Sequence, residues 1–219
     1  NQSSCNKDFS CVNGFCPSFV TVEGGKLKKP AKAKIETGGS FDVSSLPQPV
    51  LPNTAQPYGV IVTGVGGTGV IRIGQIMAMA AHLQGKSCSV LDMTGLAQKG
   101  GAVMSHVRLA DNPEDIQSTR VGTGMADLVI GCDLIVTAGK DALSRMGEGR
   151  TQGAINSSSS PTATFIKNPN WQFPAGSAEE EIRKACGEKD GKNAVDLVDA
   201  TTIATALMGD SIASNMFML

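Results

Sequence analysis

No run of about 18 uninterrupted apolar residues occurs in the 219-residue chain, so no membrane-spanning helix is expected. No basic cluster is long enough to mark a nucleic-acid footprint: the net charge is -1, and Lys26-Leu27-Lys28-Lys29 reads as a solvated linker face. The first residues lack a charged segment followed by an apolar one, so no secretory signal is visible and a cytoplasmic protein is expected. Six cysteines are too few and too unevenly spread for a secreted disulfide framework. An opening methionine is absent too. The last residues, Asn215-Met216-Phe217-Met218-Leu219, form an apolar run without a helix stop signal. Both features lead us to expect a piece of a longer polypeptide. What is present suffices for a folded domain: 41% of the residues are hydrophobic and 18% charged, a balance that excludes global disorder.

Three regions follow one another. Residues 1–23 are small and cysteine-rich. Residues 24–57 carry Gly, Ser, Pro and Lys with little periodic apolar pattern, and read as a linker. Residues 58–219 alternate strand-like and helix-like runs, the signature of an α/β sheet. Gly59–Thr63 is an apolar, β-branched stretch suited to a buried strand. A helix is expected over Val70–Gln84 with Gly85 as its stop, then strands over Ser87–Met93 and Val103–Leu109. Further strands are expected at Asp133–Ala138 and Gln152–Asn156, and at the strand end Asp196–Asp199. Helices are expected around Asp141–Met146, over Ser177–Cys186 with Ser177 as N-cap, and over Thr201–Met208.

The segment Gly64-Val65-Gly66-Gly67-Thr68-Gly69 fits G-x-G-x-x-G between a strand and a helix. Glycine allows positive φ and a close approach of backbone to ligand. The free N–H groups of the first helical turn and the helix dipole favour an anion there, and the Thr68 hydroxyl offers a further donor. The competing reading is a tight turn with no ligand. Asp92 lies 92 − 69 = 23 residues past Gly69, at the end of the second strand, where a dinucleotide-binding domain places its ribose-binding acid. It would equally serve as a strand-end carboxylate capping the loop beyond it. That loop carries Lys99, Gly100 and Gly101 just past the carboxyl end of the strand. Lys99 is either a point charge for a phosphate or a solvated loop lysine. His106 in the third strand reads as structural, and His82 as a cation at a helix end.

Cys5, Cys11 and Cys16 are crowded together, and Pro17 directly follows the last. Cysteine thiolates hold iron–sulfur clusters, and Cys-Pro closes one ferredoxin run, but three ligands do not complete a [4Fe–4S] site. Structural zinc would also want four. Iron–sulfur, zinc and neither stay open on spacing alone. Cys88, Cys132 and Cys186 read as small core residues.

Taken together, the cysteine segment from Asn1 to Val20, the loop Gly64–Gly69 and the stretch Asp92–Gly101 resemble the long fused form of indolepyruvate ferredoxin oxidoreductase. The resemblance covers the end of a ferredoxin-like iron–sulfur segment and most of the gamma domain of the 2-oxoacid:ferredoxin oxidoreductases, a Rossmann-like α/β layer. Such enzymes oxidatively decarboxylate a 2-oxoacid with thiamine diphosphate and coenzyme A to an acyl-CoA, and pass electrons through [4Fe–4S] clusters to ferredoxin. By this resemblance Cys5, Cys11 and Cys16 would be cluster ligands, with a fourth supplied from upstream. Gly64, Gly66, Gly67, Thr68 and Gly69 would contact a cofactor phosphate, and Lys99, Gly100 and Gly101 would face the active-site cleft. The resemblance implies no catalytic residue here. It also implies an oligomeric parent whose other domains hold most of the thiamine diphosphate and coenzyme A contacts, so this chain alone would be inactive. Asn156–Thr162 is more serine-rich than the family pattern. The alternatives are an NAD(P)-binding dehydrogenase domain, and a non-catalytic electron-transfer or interaction module.

Overall fold

A computed structural model describes residues 13, 23–25, 46–95, 101–158 and 174–219. Six strands form the main sheet: β1 (Tyr58–Val65), β2 (Ser87–Thr94), β3 (Ala102–Ala110), β4 (Leu128–Gly131), β5 (Gln152–Asn156) and β8 (Val195–Val198). Their order is β2-β3-β1-β4-β5-β8. β1, β4, β5 and β8 run parallel, and β3 is antiparallel to both its neighbours. A two-residue hairpin, β6 (Glu188–Lys189) and β7 (Lys192–Asn193), precedes β8.

The helices are α1 (Val70–Leu83), α2 (Leu134–Thr137), α3 (Lys140–Leu143), α4 (Ala175–Cys186), α5 (Ala200–Met208) and α6 (Ser214–Met218). Alternate residues of β1 feed two apolar layers, which is why that strand reads as continuously hydrophobic. Val60 and Val62 pack with Val70 and Ile73 of α1. Ile61 faces Leu134 and Ile182 on the opposite side of the sheet. Among the described residues no helix is long and apolar enough to cross a membrane.

The expected elements of the first half are present, each within a residue or two of its predicted bounds. Gly85 has φ of 72° just beyond α1, as a helix stop requires. The second half needs correction. The strand expected at Asp133–Ala138 is β4, which lies upstream at Leu128–Gly131, and Leu134–Thr137 is helical. The cause is local. The Asp133 carboxylate accepts the Val136 amide at 3.0 Å, and the Thr137 hydroxyl donates to the Asp133 carbonyl at 2.6 Å. These bonds close one turn of helix despite β-branched side chains. The helix expected around Asp141–Met146 is the single turn Lys140–Leu143. α4 begins at Ala175 rather than after Ser177, which lies inside its first turn. Within the stretch read as a linker, Thr54 is buried and hydrogen-bonded to Asp111 and Lys86, while Lys86 and Asp111 form an ion pair at 2.9 Å.

Candidate phosphate-binding site

The parallel strands β1, β4, β5 and β8 all end at one edge of the sheet. β1 leads through α1 towards β2, whereas β4 leads towards β5 on the other side. The crevice between the ends of β1 and β4 is therefore a topological switch point, where ligands of open α/β sheets bind. The glycine loop sits in that crevice.

Three of its four glycines, Gly64, Gly67 and Gly69, have different reasons to be glycine. A Cβ on Gly64 would lie 2.4 Å from the Thr68 hydroxyl and 3.0 Å from the Cys132 Cβ, so Gly64 permits close packing beneath the loop. Gly67 has φ of 104°, and a Cβ there would meet nothing within 4 Å: its backbone is open to solvent. Gly69 has φ of 90° and is the N-cap of α1. A Cβ on it would lie 2.1 Å from Asn215 Nδ2.

The loop's donors divide into two groups. The Gly66 amide donates to the Gly101 carbonyl at 2.7 Å, and the Thr68 amide to the Val65 carbonyl at 3.0 Å. The Thr68 hydroxyl also donates to Val65 O, at 2.7 Å. Its proton is therefore committed inside the loop, contrary to the donor role expected from sequence. The amides of Gly67, Gly69, Val70, Ile71 and Arg72 have no acceptor among the described residues. No side chain caps α1, and its first turn holds no acidic residue. The positive end of a 14-residue helix thus faces the crevice without a protein anion.

Two clefts flank Gly67. One, of about 390 Å³, is lined by the start of α1, Arg72, Gln75, Val103, Ile212 and Asn215. The other, of about 260 Å³, lies over the ends of β4 and β5 and is lined by Thr68, Asn156, Ser158, Thr201, Ser211 and Ser214 among others. Neither cleft has an acidic residue in its lining. Asn156 is held by donating to the Cys132 carbonyl at 3.2 Å and the Thr201 hydroxyl at 2.9 Å. Beneath the loop, Thr63 bonds to Thr137 at 2.8 Å; the Thr137 proton goes to Asp133 O, so Thr63 is the donor.

Of the residues expected at the site, Gly64, Gly66, Gly67, Thr68, Gly69 and Gly101 come together around β1 and the start of β3. Lys99 and Gly100 lie outside the described residues, as do Cys5, Cys11 and Cys16. Asp92 is elsewhere. β3 separates its strand from β1, and its carboxylate accepts a hydrogen bond from Ser105. The ribose-binding acid of a dinucleotide site belongs on the strand next to β1. Asp92 therefore serves neither expected role: its carboxylate bonds across the sheet to Ser105, its partner on β3, and not to the loop beyond its strand. Ser214, Asn215 and Arg72 are site-lining residues that the sequence reading missed. Arg72 was findable, as a cation in the first turn after the loop. Asn215 and Ser214 were not, because nothing local ties them to Gly69.

The remaining candidates sit apart from the loop. His106 is fully buried in β3, on the face away from α1. The Val121 amide donates to its Nδ1 at 3.1 Å, which places the proton on Nε2, and Nε2 has no partner. Burial, then the charges of Arg145 and Arg120, lower its pKa to about 4. It is structural, as expected. Cys132 is pushed up to about 12 by burial and by Asp133, and Cys186 to about 11 by burial. Both are protonated core thiols. Among the described residues no group of three or more His, Cys, Asp or Glu is placed to hold a metal.

The indolepyruvate oxidoreductase subunit IorB of Methanothermobacter thermautotrophicus is 25% identical over 162 residues, covering 74% of this chain and 76% of that protein. The IorB subunit of Archaeoglobus fulgidus is 35% identical over 71 residues, covering 32% of this chain and 33% of that protein. Among solved structures, the pyruvate oxidoreductase subunit PORC of Thermotoga maritima aligns with a TM-score of 0.49 at 20% identity, over 74% of this chain and 73% of that one. The 2-oxoglutarate:ferredoxin oxidoreductase of Magnetococcus marinus, solved with 2-oxoglutarate, coenzyme A and succinyl-CoA bound, aligns with a TM-score of 0.47 at 15% identity, over 74% of this chain and 23% of that one. The family model described as pyruvate ferredoxin/flavodoxin oxidoreductase matches residues 59–219, the whole sheet and its helices, and the chain belongs to that family.

Proposed function

We propose that this chain is the phosphate-gripping wall of an indolepyruvate-type 2-oxoacid:ferredoxin oxidoreductase, and that its glycine loop holds a phosphate of coenzyme A. The carrying observation is the uncapped start of α1 beside the open backbone of Gly67. Five amides without an acceptor, a helix dipole and the nearby Arg72 suit an anion, and no carboxylate opposes it. Each charge-assisted backbone contact contributes about 1.5–3 kcal/mol, so two or three suffice for micromolar-to-millimolar binding of one phosphate. Family membership supplies the reaction class, and the name shared by the relatives favours indolepyruvate. Coenzyme A accepts the acyl group in that reaction. The residues here bind and orient its phosphate and take no chemical step.

Two further assignments rest on the sequence. Cys5, Cys11 and Cys16 supply three ligands of a [4Fe–4S] cluster that carries electrons towards ferredoxin. Thiamine diphosphate is held mainly by other parts of the parent enzyme, which pack against this chain in an oligomer. The exposed apolar side chains of α1 and of the last two helices, Met79, Leu83, Met208 and Phe217 among them, support such packing.

Calorimetric titration of the full chain tests the phosphate assignment. Coenzyme A should bind, pantetheine without its phosphates should not, and the Gly67 and Gly69 amides should gain protection from hydrogen exchange. Equal affinity for the two compounds, or none for either, overturns the assignment. NADH binding that Asp92→Ala weakens would favour the dehydrogenase reading instead.

A further inference from the structure

The two clefts beside Gly67 are roofed by consecutive residues of α6, and each residue brings a buried polar group that the protein leaves unused. Asn215 is 5% exposed and Ser214 is 8% exposed. Neither side chain has a hydrogen-bond partner among the described residues. Neither is among the sealed polar atoms without a partner, which are His106 Nε2, Arg108 Nε and Arg145 Nε. Their polar atoms therefore open onto the clefts that they line, Asn215 onto the one beside α1 and Ser214 onto the one over β4 and β5. These atoms keep their hydrogen-bonding capacity free for a ligand.

We propose that Ser214 and Asn215 are ligand-binding residues which, with the glycine loop, form a two-part seat for a diphosphate group. The inference rests on the reading of the loop as a phosphate site, and deepens it. One phosphoryl group lies on the start of α1. There the amides of Gly69, Val70 and Ile71 point out, and Asn215 is in contact with the Gly69 backbone, its Nδ2 occupying the place where a Cβ would stand. The second lies across Gly67, which both clefts share, among the hydroxyls of Ser214, Ser211 and Ser158. Hydroxyls serve a second phosphoryl group well because each rotates to donate, and no acidic side chain opposes it. Ile212 lines both clefts. The arrangement therefore discriminates a diphosphate from a single phosphate by span as well as by charge.

The probes are inorganic pyrophosphate and orthophosphate, titrated calorimetrically into the full chain without divalent metal. Pyrophosphate should bind the wild type at least about tenfold more tightly than orthophosphate, the equivalent of one added charge-assisted contact. Asn215→Ala should weaken both anions about tenfold. Ser214→Ala should weaken pyrophosphate about fivefold and leave orthophosphate within twofold, a split that a merely structural role would not produce. Asn215→Asp keeps the shape and reverses the electrostatics, and should cost roughly a hundredfold at pH 7. It carries the test if Asn215→Ala fails to fold. If the wild type binds neither anion, the glycine-loop reading itself falls and the seat falls with it. If the wild type binds both anions and the folded variants bind them equally well, the loop reading stands and the present inference is overturned.

Discussion

The Gly66 amide donates to the Gly101 carbonyl at 2.7 Å, one rung beyond the last β1–β3 pair, Val65 opposite Ala102. That bond ties the glycine loop to the end of the Lys99-Gly100-Gly101 loop. Gly66→Pro removes the donor. It should lower unfolding stability by about 1–3 kcal/mol and weaken coenzyme A binding together with it. Urea denaturation and calorimetry on one preparation check both effects.

Substitutions at Gly67 and Gly69 should separate backbone strain from collision. Gly67→Ala puts a methyl group into open space at φ of 104°, so it carries the strain alone, about 1–2 kcal/mol. Gly69→Ala adds a collision with Asn215. It should cost at least about 1 kcal/mol more in chemical denaturation, because α6 must shift. Equal costs would show that Asn215 gives way freely.

Acid should destabilise the fold through His106. Its folded pKa of about 4 lies below the ordinary 6.5, so between these values the unfolded state binds more protons than the native state. The contribution is complete above pH 6.5 and is lost as pH falls towards 4, at up to about 1.4 kcal/mol per pH unit and about 3 kcal/mol in all. His106→Asn, which keeps an acceptor for the Val121 amide, should flatten this part of the stability–pH curve. An unchanged slope between pH 6.5 and 4 would remove His106 as the cause.

Thiol labelling should follow burial. Iodoacetamide at pH 8 should spare Cys132 and Cys186 in the native protein, since both are buried and their pKa values lie far above that pH. Mass spectrometry should find both modified only after denaturation.

Asp92→Ala should leave coenzyme A affinity within about twofold, because Asp92 lies on β2, two strands from β1, and its carboxylate is taken by Ser105 of the intervening β3. A large loss would return Asp92 to the binding site.

The legible part of the fold was the part written in local signals. The strand–glycine–helix–strand run from Tyr58 to Ala110 carries its own turn residues and period, so its elements were readable to within a residue or two. Leu134–Thr137 was misread because its apolar, β-branched run favours a strand while the bonds to Asp133 close a turn of helix. The position of Asp92 was misjudged for a different reason. Residue spacing gives the distance along the chain, but not that β3 would fold back between β2 and β1. Half of the candidate site was invisible because Ser214 and Asn215 reach Gly67 and Gly69 only through tertiary packing, from a segment whose sequence reads as an apolar tail.

The reversed strand also divides the order in which the domain can assemble. β2 and β3 pair through a sequence-near antiparallel ladder, which closes cheaply and early, and β1 joins the other edge of β3. β4, β5 and β8 add one by one in parallel through long connections, and α6 docks against α1 only after β8 is in place in the chain. The phosphate seat lies on the seam between the two halves. A nascent or partly unfolded chain would thus hold a formed glycine loop with no roof, and ligand binding would report completion of the whole domain.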